Sequence, residues 1–370
     1  SPSNNRYIEL CQAYRIVAVN CGQHCAGQRC RILGHVPRLF HTITSKLGVY
    51  LSVETHHVVI IANPRAGGGR ARDVAIAAQN TLSTSGCDVT LHLPTTREQL
   101  HKVTAQVCQT RPTIVLACGG DGTVHDVLQF TIESNTALGI IPCGTGNDIA
   151  RSLGLPGKTN QKFFQKLAYS IHHHDFESID ASQITVEGKQ QWSLGVISAG
   201  LDSDVNERAN RMTHFRGTTR YILALLAELR VFPLHNYTVT IDSTKRTGSA
   251  ILIAIGNGGQ YGGGMNICPQ ADMTDGMLDI TWVDPAPRRT VLRLFPLIYS
   301  GRHVNSPLVH TYRGSEISIE SPDSMIYADG ERIGPTPALI QVVPKVARVL
   351  LFREQMSRRN SFHRPRESRS

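Results

Sequence analysis

The sequence predicts an α/β domain with a three-layer, mostly parallel sheet, followed by a second domain that is β-sandwich-like. In the first part of the chain, short apolar runs alternate with helical segments at residues 71–84 and 97–110, and the connections are short. The apolar runs lack polar alternation, as expected where helices cover both faces of a parallel sheet. Beyond Ile171, apolar and polar residues alternate between turn residues, which is typical of antiparallel strands. Among these, we expect single strands over residues 248–255, 340–343 and 347–352. We therefore place a domain boundary near Ile171.

Three glycine-containing turns follow apolar strands of the first domain. They are NPRAGGGR at residues 63–70, GGDGT at residues 119–123 and PCGTGND at residues 142–148, and a helical segment follows each of them. Glycines let the backbone approach an anion closely, and a helix N-terminus supplies free N–H groups. Ligands of parallel sheets bind beyond the carboxyl ends of the strands, where all three turns fall. Each turn alone is equally consistent with a tight βα connection, but together they predict a phosphate site.

Two carboxylates, Asp121 and Asp148, lie inside these turns. A carboxylate repels a phosphate unless a divalent cation lies between the carboxylate and the phosphate. Asp121 and Asp148 together therefore predict a site for a magnesium-bound nucleotide. The chain has neither the G-x-G-x-x-G fingerprint after its first strand nor the lysine of a P-loop. Backbone N–H groups, Mg²⁺ and Arg65 or Arg70 would therefore neutralise the phosphate charge.

Four sequence elements together resemble the signature set of the diacylglycerol kinase catalytic-domain family. They are NPRAGGG at residues 63–69, GGDGT, PCGTGNDIAR at residues 142–151, and DGE at residues 329–331. The resemblance spans residues 58–352 and implies an NAD kinase/diacylglycerol kinase-like fold. The family includes bacterial soluble lipid kinases and the sphingosine and ceramide kinases. GGDGT alone also resembles NAD kinases, whereas its combination with GTGND is specific.

The resemblance also implies roles for individual residues in an enzyme that uses ATP and Mg²⁺. Glu331 is implied to be the general base that takes the proton of a lipid hydroxyl, while Asp121 and Asp148 organise the metal and the nucleotide. Thr95 is implied to contact the nucleotide, but a role as the N-cap of the following helix is an equally good interpretation. The implied nucleotide contacts are Asn63, Pro64, Arg65, Ala66, Gly67, Thr95, Gly119, Gly120, Asp121, Gly122, Thr123, Gly144, Thr145 and Asn147.

A second acidic segment, ADMTDGMLD at residues 271–279, places oxygen ligands around a glycine turn, which suits hard cations. The resemblance implies a structural Mg²⁺ held by Asp275 together with oxygens near Asp272 and Met277. A plain Asp-Gly turn is the alternative. The glycine run at residues 257–265 predicts a backbone that is mobile or closely approached by other groups.

The chain carries a formal net charge of +9, which favours polyanionic partners such as nucleotide phosphates and anionic bilayers. Nucleic acid is not expected, because no aromatic-basic reading surface is present. No apolar run approaches the roughly 20 residues of a membrane span. Two amphipathic helical segments flanked by arginines, at residues 218–231 and 288–295, suit either core packing or bilayer contact.

The domain organisation follows from these patterns. We predict a poorly structured extension over residues 1–56, a nucleotide-binding α/β domain over 57–171, a β-rich lipid-substrate domain over 172–352 and a disordered basic tail over 353–370. The later cysteines are scattered in apolar runs, which fits reduced thiols and a cytoplasmic, peripherally membrane-associated protein.

The predicted function is an ATP-dependent lipid kinase that phosphorylates a primary hydroxyl of a membrane lipid, with diacylglycerol, which gives phosphatidic acid, as the first candidate. Sphingoid bases or another lipid are alternative substrates. An NAD kinase-like enzyme and a non-catalytic nucleotide- or lipid-binding regulator are alternative functions. A homodimer is left open.

Overall fold

A computed structural model describes residues 56–200, 235–322 and 324–352. Four strands, β1 (His57–Ala62), β2 (Asp88–His92), β3 (Ile114–Gly119) and β4 (Ala137–Pro142), form a parallel sheet in the order β2-β1-β3-β4. All residues of β3 and β4 are buried, which explains their continuous apolar sequence.

Helices connect these strands and cover the sheet. They are α1 (Ala71–Thr84), α2 (Arg97–Gln109), α3 (Asp121–Ser134), α4 (Asp148–Ser152) and α5 (Gln161–His172). In the order β2-β1-β3, the connection from β1 to β2 and the connection from β2 to β3 cross the sheet in opposite directions. Because both crossovers are right-handed, their helices lie on opposite faces of the sheet. Consistently, α1 packs against α5, whereas α2 packs against α3. The predicted three-layer α/β architecture is confirmed.

The later part of the chain is mostly antiparallel. The described strands are β5 (Phe176–Val186), β6 (Lys189–Ser193), β7 (Val196–Gly200), β8 (His235–Ile241), β9 (Thr244–Ala250), β10 (Leu252–Gly256), β11 (Gln260–Tyr261), β12 (Met265–Asn266), β13 (Leu278–Val283), β14 (Val309–Gly314), β15 (Glu316–Glu320), β16 (Met325–Ala328), β17 (Glu331–Pro335) and β18 (Ala338–Leu350). Helix α6 (Arg288–Tyr299) lies between β13 and β14. A six-stranded sheet runs β14-β13-β10-β7-β16-β17. Its apolar residues share one core with those of β5, β8, β15 and β18, so the β-sandwich-like prediction is confirmed.

Two strand boundaries differ from the sequence pattern. The single strand expected over residues 248–255 is two strands, because the chain passes from one sheet to the other at Ile251. Conversely, the separate strands expected over 340–343 and 347–352 form one strand, β18, with a bulge between Val343 and Ala347. Pro344 lacks an N–H to donate, and Lys345 has a left-handed backbone, so the pairing is interrupted only locally.

Strand β18 joins the two parts of the chain. It pairs with β5 along most of its length, and its last residues pair with β4 in parallel, with Val349 opposite Leu138. Val349, Leu351 and Phe352 are buried in the same hydrophobic core as β1 and β3. One hydrogen-bonded sheet therefore runs past the boundary near Ile171, and the division into residues 57–171 and 172–352 stays a prediction.

Several predicted features lie outside the described residues. These are the N-terminal extension up to residue 55, the amphipathic segment 218–231 and the basic tail. In the described ranges, none of the helices has the length and apolar character needed to traverse a bilayer.

Candidate active site

The three predicted phosphate turns meet through their glycines. A Cβ on Gly144 would overlap the Cα of Gly120, and a Cβ on Gly67 would overlap the carbonyl oxygen of Cys143. The carbonyl of Gly119 accepts hydrogen bonds from the N–H groups of Cys143, at 2.8 Å, and of Gly144, at 3.1 Å. The turns therefore form one backbone-lined cradle, into which glycine alone fits at the contact points.

This cradle forms one wall of a cleft with a volume of about 830 Å³. All the predicted nucleotide contacts line the cleft except Pro64, Gly119 and Asn147. The predicted catalytic residues Asp121, Asp148 and Glu331 line it as well. The opposite wall comes from the later part of the chain, including Gly195, Val196, Ser198 and residues 260–263. The structure thus brings these motifs together at one cleft. The role of each residue stays a prediction.

Asp121 and Asp148 lie side by side in the cleft. A Cβ on Gly146 would be 2.9 Å from Oδ2 of Asp121 and 3.1 Å from Oδ2 of Asp148, so the glycine makes room for both carboxylates. The N–H of Ile149 donates to Asp121 Oδ1 at 3.0 Å, and that of Gly263 donates to Asp148 Oδ2 at 2.8 Å. Burial, with the charge of Asp148, raises the pKa of Asp121 to about 6. Arg151 pairs with Asp148 and offsets part of the negative charge. The two adjacent carboxylates still present oxygen ligands of the kind that a divalent cation prefers.

Glu331 reaches the GGDGT turn from the far side of the cleft. A Cβ on Gly122 would overlap Glu331 Oε1, so the carboxylate lies directly against the turn. Arg97 at the start of α2 holds it, with 3.1 Å between Nη1 and Glu331 Oε2. The same guanidinium binds Asp126 on α3, with Nε 2.9 Å from Oδ1. Arg97 therefore orients the Glu331 carboxylate through a charge-assisted hydrogen bond.

A buried pair fixes the turn that carries Glu331. Asp329 adopts a left-handed backbone, and its Oδ2 lies 3.0 Å from Nδ1 of His125, whose side chain is 1% exposed. Asp329 Oδ1 accepts hydrogen bonds from Ser193 Oγ at 2.9 Å and from the Gly195 N–H at 2.8 Å. Burial disfavours the charged imidazole, but the hydrogen bond and charge of Asp329 outweigh it and raise the pKa of His125. The resulting network anchors residues 329–331 to α3.

Sequence reasoning missed Arg97, Asp126 and His125 as parts of this site. Asp126 and His125 follow Asp121 on α3 by one helical turn or slightly more, so their position on the helix was a usable signal. Arg97 had no such signal, because its partner Glu331 is 234 residues away in the chain.

Thr95 lines the cleft but does not cap α2. The cap is Thr96, whose side chain accepts the N–H of Gln99 at 3.2 Å. Thr95 instead donates its hydroxyl to the Gln99 side chain at 2.9 Å. The alternative interpretation of Thr95 as the N-cap is therefore wrong, and a nucleotide contact stays a prediction.

The residues predicted for a structural Mg²⁺ lie in a turn away from the cleft. Asp272 Oδ1 accepts the N–H of Thr274, and Asp275 Oδ1 accepts the N–H of Met277, each at 3.0 Å, while Asp275 also pairs with Arg313. Asp180, which sequence reasoning missed, reaches the same turn and accepts the Gly276 N–H at 2.7 Å. Across the described part of the chain, no cluster of three or more His, Cys, Asp or Glu residues is arranged to hold a metal. Metal binding at this turn stays a prediction.

The contact between Gly144 and Gly120 can be tested by substitution. Gly144→Ala is expected to force the two turns apart, which lowers the free energy of unfolding by about 1–3 kcal/mol and weakens nucleotide binding. Gly157→Ala is the matched control, because an added Cβ there has nothing within 4 Å. Urea unfolding measures the free energy of unfolding, and titration with nucleotide measures the affinity. If the two variants have equal stability and equal affinity, the close packing of Gly144 on Gly120 is not needed for the site.

Comparison with known proteins identifies relatives of this chain. The chain is 38% identical over 301 residues to a protein of Mycobacterium tuberculosis named "Diacylglycerol kinase", and the match covers 80% of this chain and 96% of that protein. The chain belongs to the diacylglycerol kinase and YegS-like lipid kinase family. Residues 57–184 match the diacylglycerol kinase catalytic domain, and residues 195–351 match the YegS C-terminal NAD kinase beta sandwich-like domain.

A more distant relative also carries a lipid kinase name, and a solved structure has a similar fold. A protein of Klebsiella pneumoniae named "Probable lipid kinase YegS-like" is 26% identical over 280 residues, covering 74% of this chain and 90% of that one. A crystal structure of a putative diacylglycerol kinase from Bacillus anthracis superposes with a TM-score of 0.65 at 22% identity, covering 82% of this chain and 99% of that chain. The latter likeness shows a shared fold.

Proposed function

We propose that the protein is an ATP-dependent lipid kinase that transfers the γ-phosphoryl group to a primary hydroxyl of a membrane lipid, with diacylglycerol as the first candidate and phosphatidic acid as its product. The observation that carries this proposal is the position of Glu331 against the GGDGT turn. A carboxylate there can meet a hydroxyl that enters the cleft beside the phosphate cradle. The name of the M. tuberculosis relative supports the choice of diacylglycerol.

The proposed reaction divides the work between the two walls of the cleft. The backbone N–H groups of the three turns bind the phosphates, while Glu331 accepts the proton of the lipid hydroxyl as its oxygen attacks the γ-phosphorus. A new lipid O–P bond forms, and the bond between the γ-phosphorus and the bridging oxygen of ADP breaks. Arg97 holds the Glu331 carboxylate in its orientation. Asp121 and Asp148 would hold Mg²⁺, which neutralises phosphate charge when bound.

We also propose peripheral contact with an anionic bilayer, because the lipid substrate resides there and the chain carries a net charge of +9.

A radiolabelled-ATP assay against separate vesicles of diacylglycerol, sphingosine and ceramide, and against free NAD, tests the assignment. We expect a labelled product with diacylglycerol whose mass equals that of phosphatidic acid, and loss of labelling when EDTA removes divalent cations. Labelling of sphingosine or ceramide would retain the lipid kinase and replace its substrate. Labelling of NAD alone, or ATP binding without transfer to any lipid, would overturn the proposal.

A further inference from the structure

Helix α6 packs against the β-sandwich without burying any of its residues completely. Its sequence is RRTVLRLFPLIY, and none of its residues is fully buried. Val291, Phe295 and Ile298, spaced four and three residues apart, pack against a buried cluster that includes Ile267 and Cys268. This stripe is the inner face of α6, and it accounts for the attachment of the helix to the sandwich.

The solvent-exposed side of α6 also carries apolar side chains. Leu292, Leu297 and Tyr299 are 48%, 38% and 45% exposed, and they are three of the five large apolar side chains exposed in the described part of the chain. A soluble helix usually presents polar residues on the side away from its core. The outer face of α6, which we define as Arg289, Leu292, Arg293, Leu297 and Tyr299, therefore has the composition of a contact surface.

The charge around this outer face has one sign. From Pro285 to Ser315 the sequence contains five arginines and no acidic residue. Arg288, Arg289 and Arg293 lie exposed beside the apolar side chains. Within the described residues, no carboxylate forms an ion pair with Arg289 or Arg293. Arginines that surround leucine and tyrosine on one helix side match the negative headgroups and the acyl boundary of an anionic bilayer.

The position of α6 connects this surface to the cleft. The helix packs against β12, which pairs with β11. Tyr261 of β11 packs against the same buried cluster as the inner face of α6, and it also lines the cleft. We infer that the outer face of α6 docks on an anionic lipid bilayer and thereby holds the cleft beside the membrane. The inference rests on the proposed lipid substrate for its purpose, but membrane contact itself is measurable without kinase activity.

A fluorescent reporter tests the docking directly in the full chain. Tyr299→Trp introduces an indole on the outer face, and Tyr169→Trp is the matched control, because Tyr169 is 47% exposed on the distant helix α5. The probe is a vesicle of phosphatidylcholine and phosphatidylglycerol with brominated acyl chains, which quench a nearby indole. In each variant, the fluorescence of the new tryptophan is the emission in excess of that of the unsubstituted protein. We expect the vesicles to quench this excess in Tyr299→Trp and to leave it unchanged in Tyr169→Trp. Equal quenching in both variants, or none in Tyr299→Trp, would overturn the inference.

Charge and apolar contributions are separated by vesicle sedimentation. Neutralising two arginines in Arg289→Gln with Arg293→Gln is expected to weaken binding to these vesicles by about 30-fold, since each basic residue near the surface contributes about one factor of five. Lys158→Gln with Lys162→Gln removes the same charge from an exposed region on and before α5 and should leave binding nearly unchanged. Leu292→Ser with Leu297→Ser is expected to weaken binding by about tenfold, whereas Ile76→Ser on α1 should not.

Two further readouts distinguish the other outcomes. The α6 variants should phosphorylate a water-soluble short-chain diacylglycerol at the same rate as the unsubstituted protein. If neither the variants nor the unsubstituted protein phosphorylates this substrate, the proposed function is wrong. The vesicle-binding result would still test the docking of α6. If the α6 substitutions dissociate a dimer in analytical ultracentrifugation and leave vesicle binding intact, the occupant of this surface is a second copy, and the inference is wrong.

Discussion

Glu331→Gln is expected to lower the rate of phosphoryl transfer by about 10²–10⁴-fold, the range typical for loss of a general base. The amide keeps the size of the carboxylate and can still accept a hydrogen bond from Arg97, so the turn at residues 329–331 should stay in place. The KM for ATP should change little, because Glu331 is proposed to act on the lipid hydroxyl and not to hold the nucleotide. Steady-state kinetics with diacylglycerol vesicles measure both quantities.

The matched control for this variant is Glu320→Gln, which removes an exposed carboxylate from β15. Its turnover should equal that of the unsubstituted protein. Turnover by Glu331→Gln within tenfold of the unsubstituted protein would contradict the general-base assignment. A loss of turnover together with a loss of nucleotide binding would instead indicate damage to the cleft.

Asp121→Asn is expected to change stability and activity in opposite directions. Asparagine retains an oxygen that can accept the Ile149 N–H, but it removes a negative charge beside Asp148. Burial and that neighbour raise the pKa of Asp121 from its ordinary 3.8 to about 6, so the folded chain resists ionising this group. We expect the variant to lose kinase activity and to gain up to about 3 kcal/mol in the free energy of unfolding at pH 7.

The pH dependence of this gain has a definite sign. Because the folded chain retains the Asp121 proton up to a higher pH than the unfolded chain, the unsubstituted protein loses stability as pH rises from about 3.8 to about 6. The advantage of Asp121→Asn should therefore be full above pH 6 and should shrink below it. Urea unfolding at pH 5 and pH 7.5, without nucleotide or divalent cation, measures this difference. Asp73→Asn, at an exposed position on α1, should show no such trend; a gain independent of pH for Asp121→Asn would contradict the cause given.

The cradle could be predicted from the sequence because its determinants are local. Each turn follows an apolar strand directly, and parallel strands bring their carboxyl ends to one edge of the sheet. Asp121 and Asp148 were therefore predicted to be neighbours from their positions in two adjacent βα units, and Gly146 lies between their carboxylates. Short-range periodicity and the rules of parallel-sheet topology were sufficient for this part of the site.

The opposite wall could not be derived in this way. Arg97 and Glu331, and likewise His125 and Asp329, are pairs more than two hundred residues apart, separated by 234 and 204 positions. No local pattern encodes such contacts, since they depend on how the sandwich packs on the α/β layer. The family resemblance identified Glu331, but the arginine and histidine that hold its turn became evident only from the three-dimensional structure.

The path of β18 makes the two halves of the protein inseparable as pieces. Phe352 at the end of the described chain contacts Phe163 of α5, with 5.3 Å between the ring centroids. A fragment that stopped after α5 would thus expose an unpaired edge on β4 and an open hole where Leu351 and Phe352 now lie. We therefore expect residues 57–172 to complete their hydrophobic core only after β18 has been synthesised and has paired with β4.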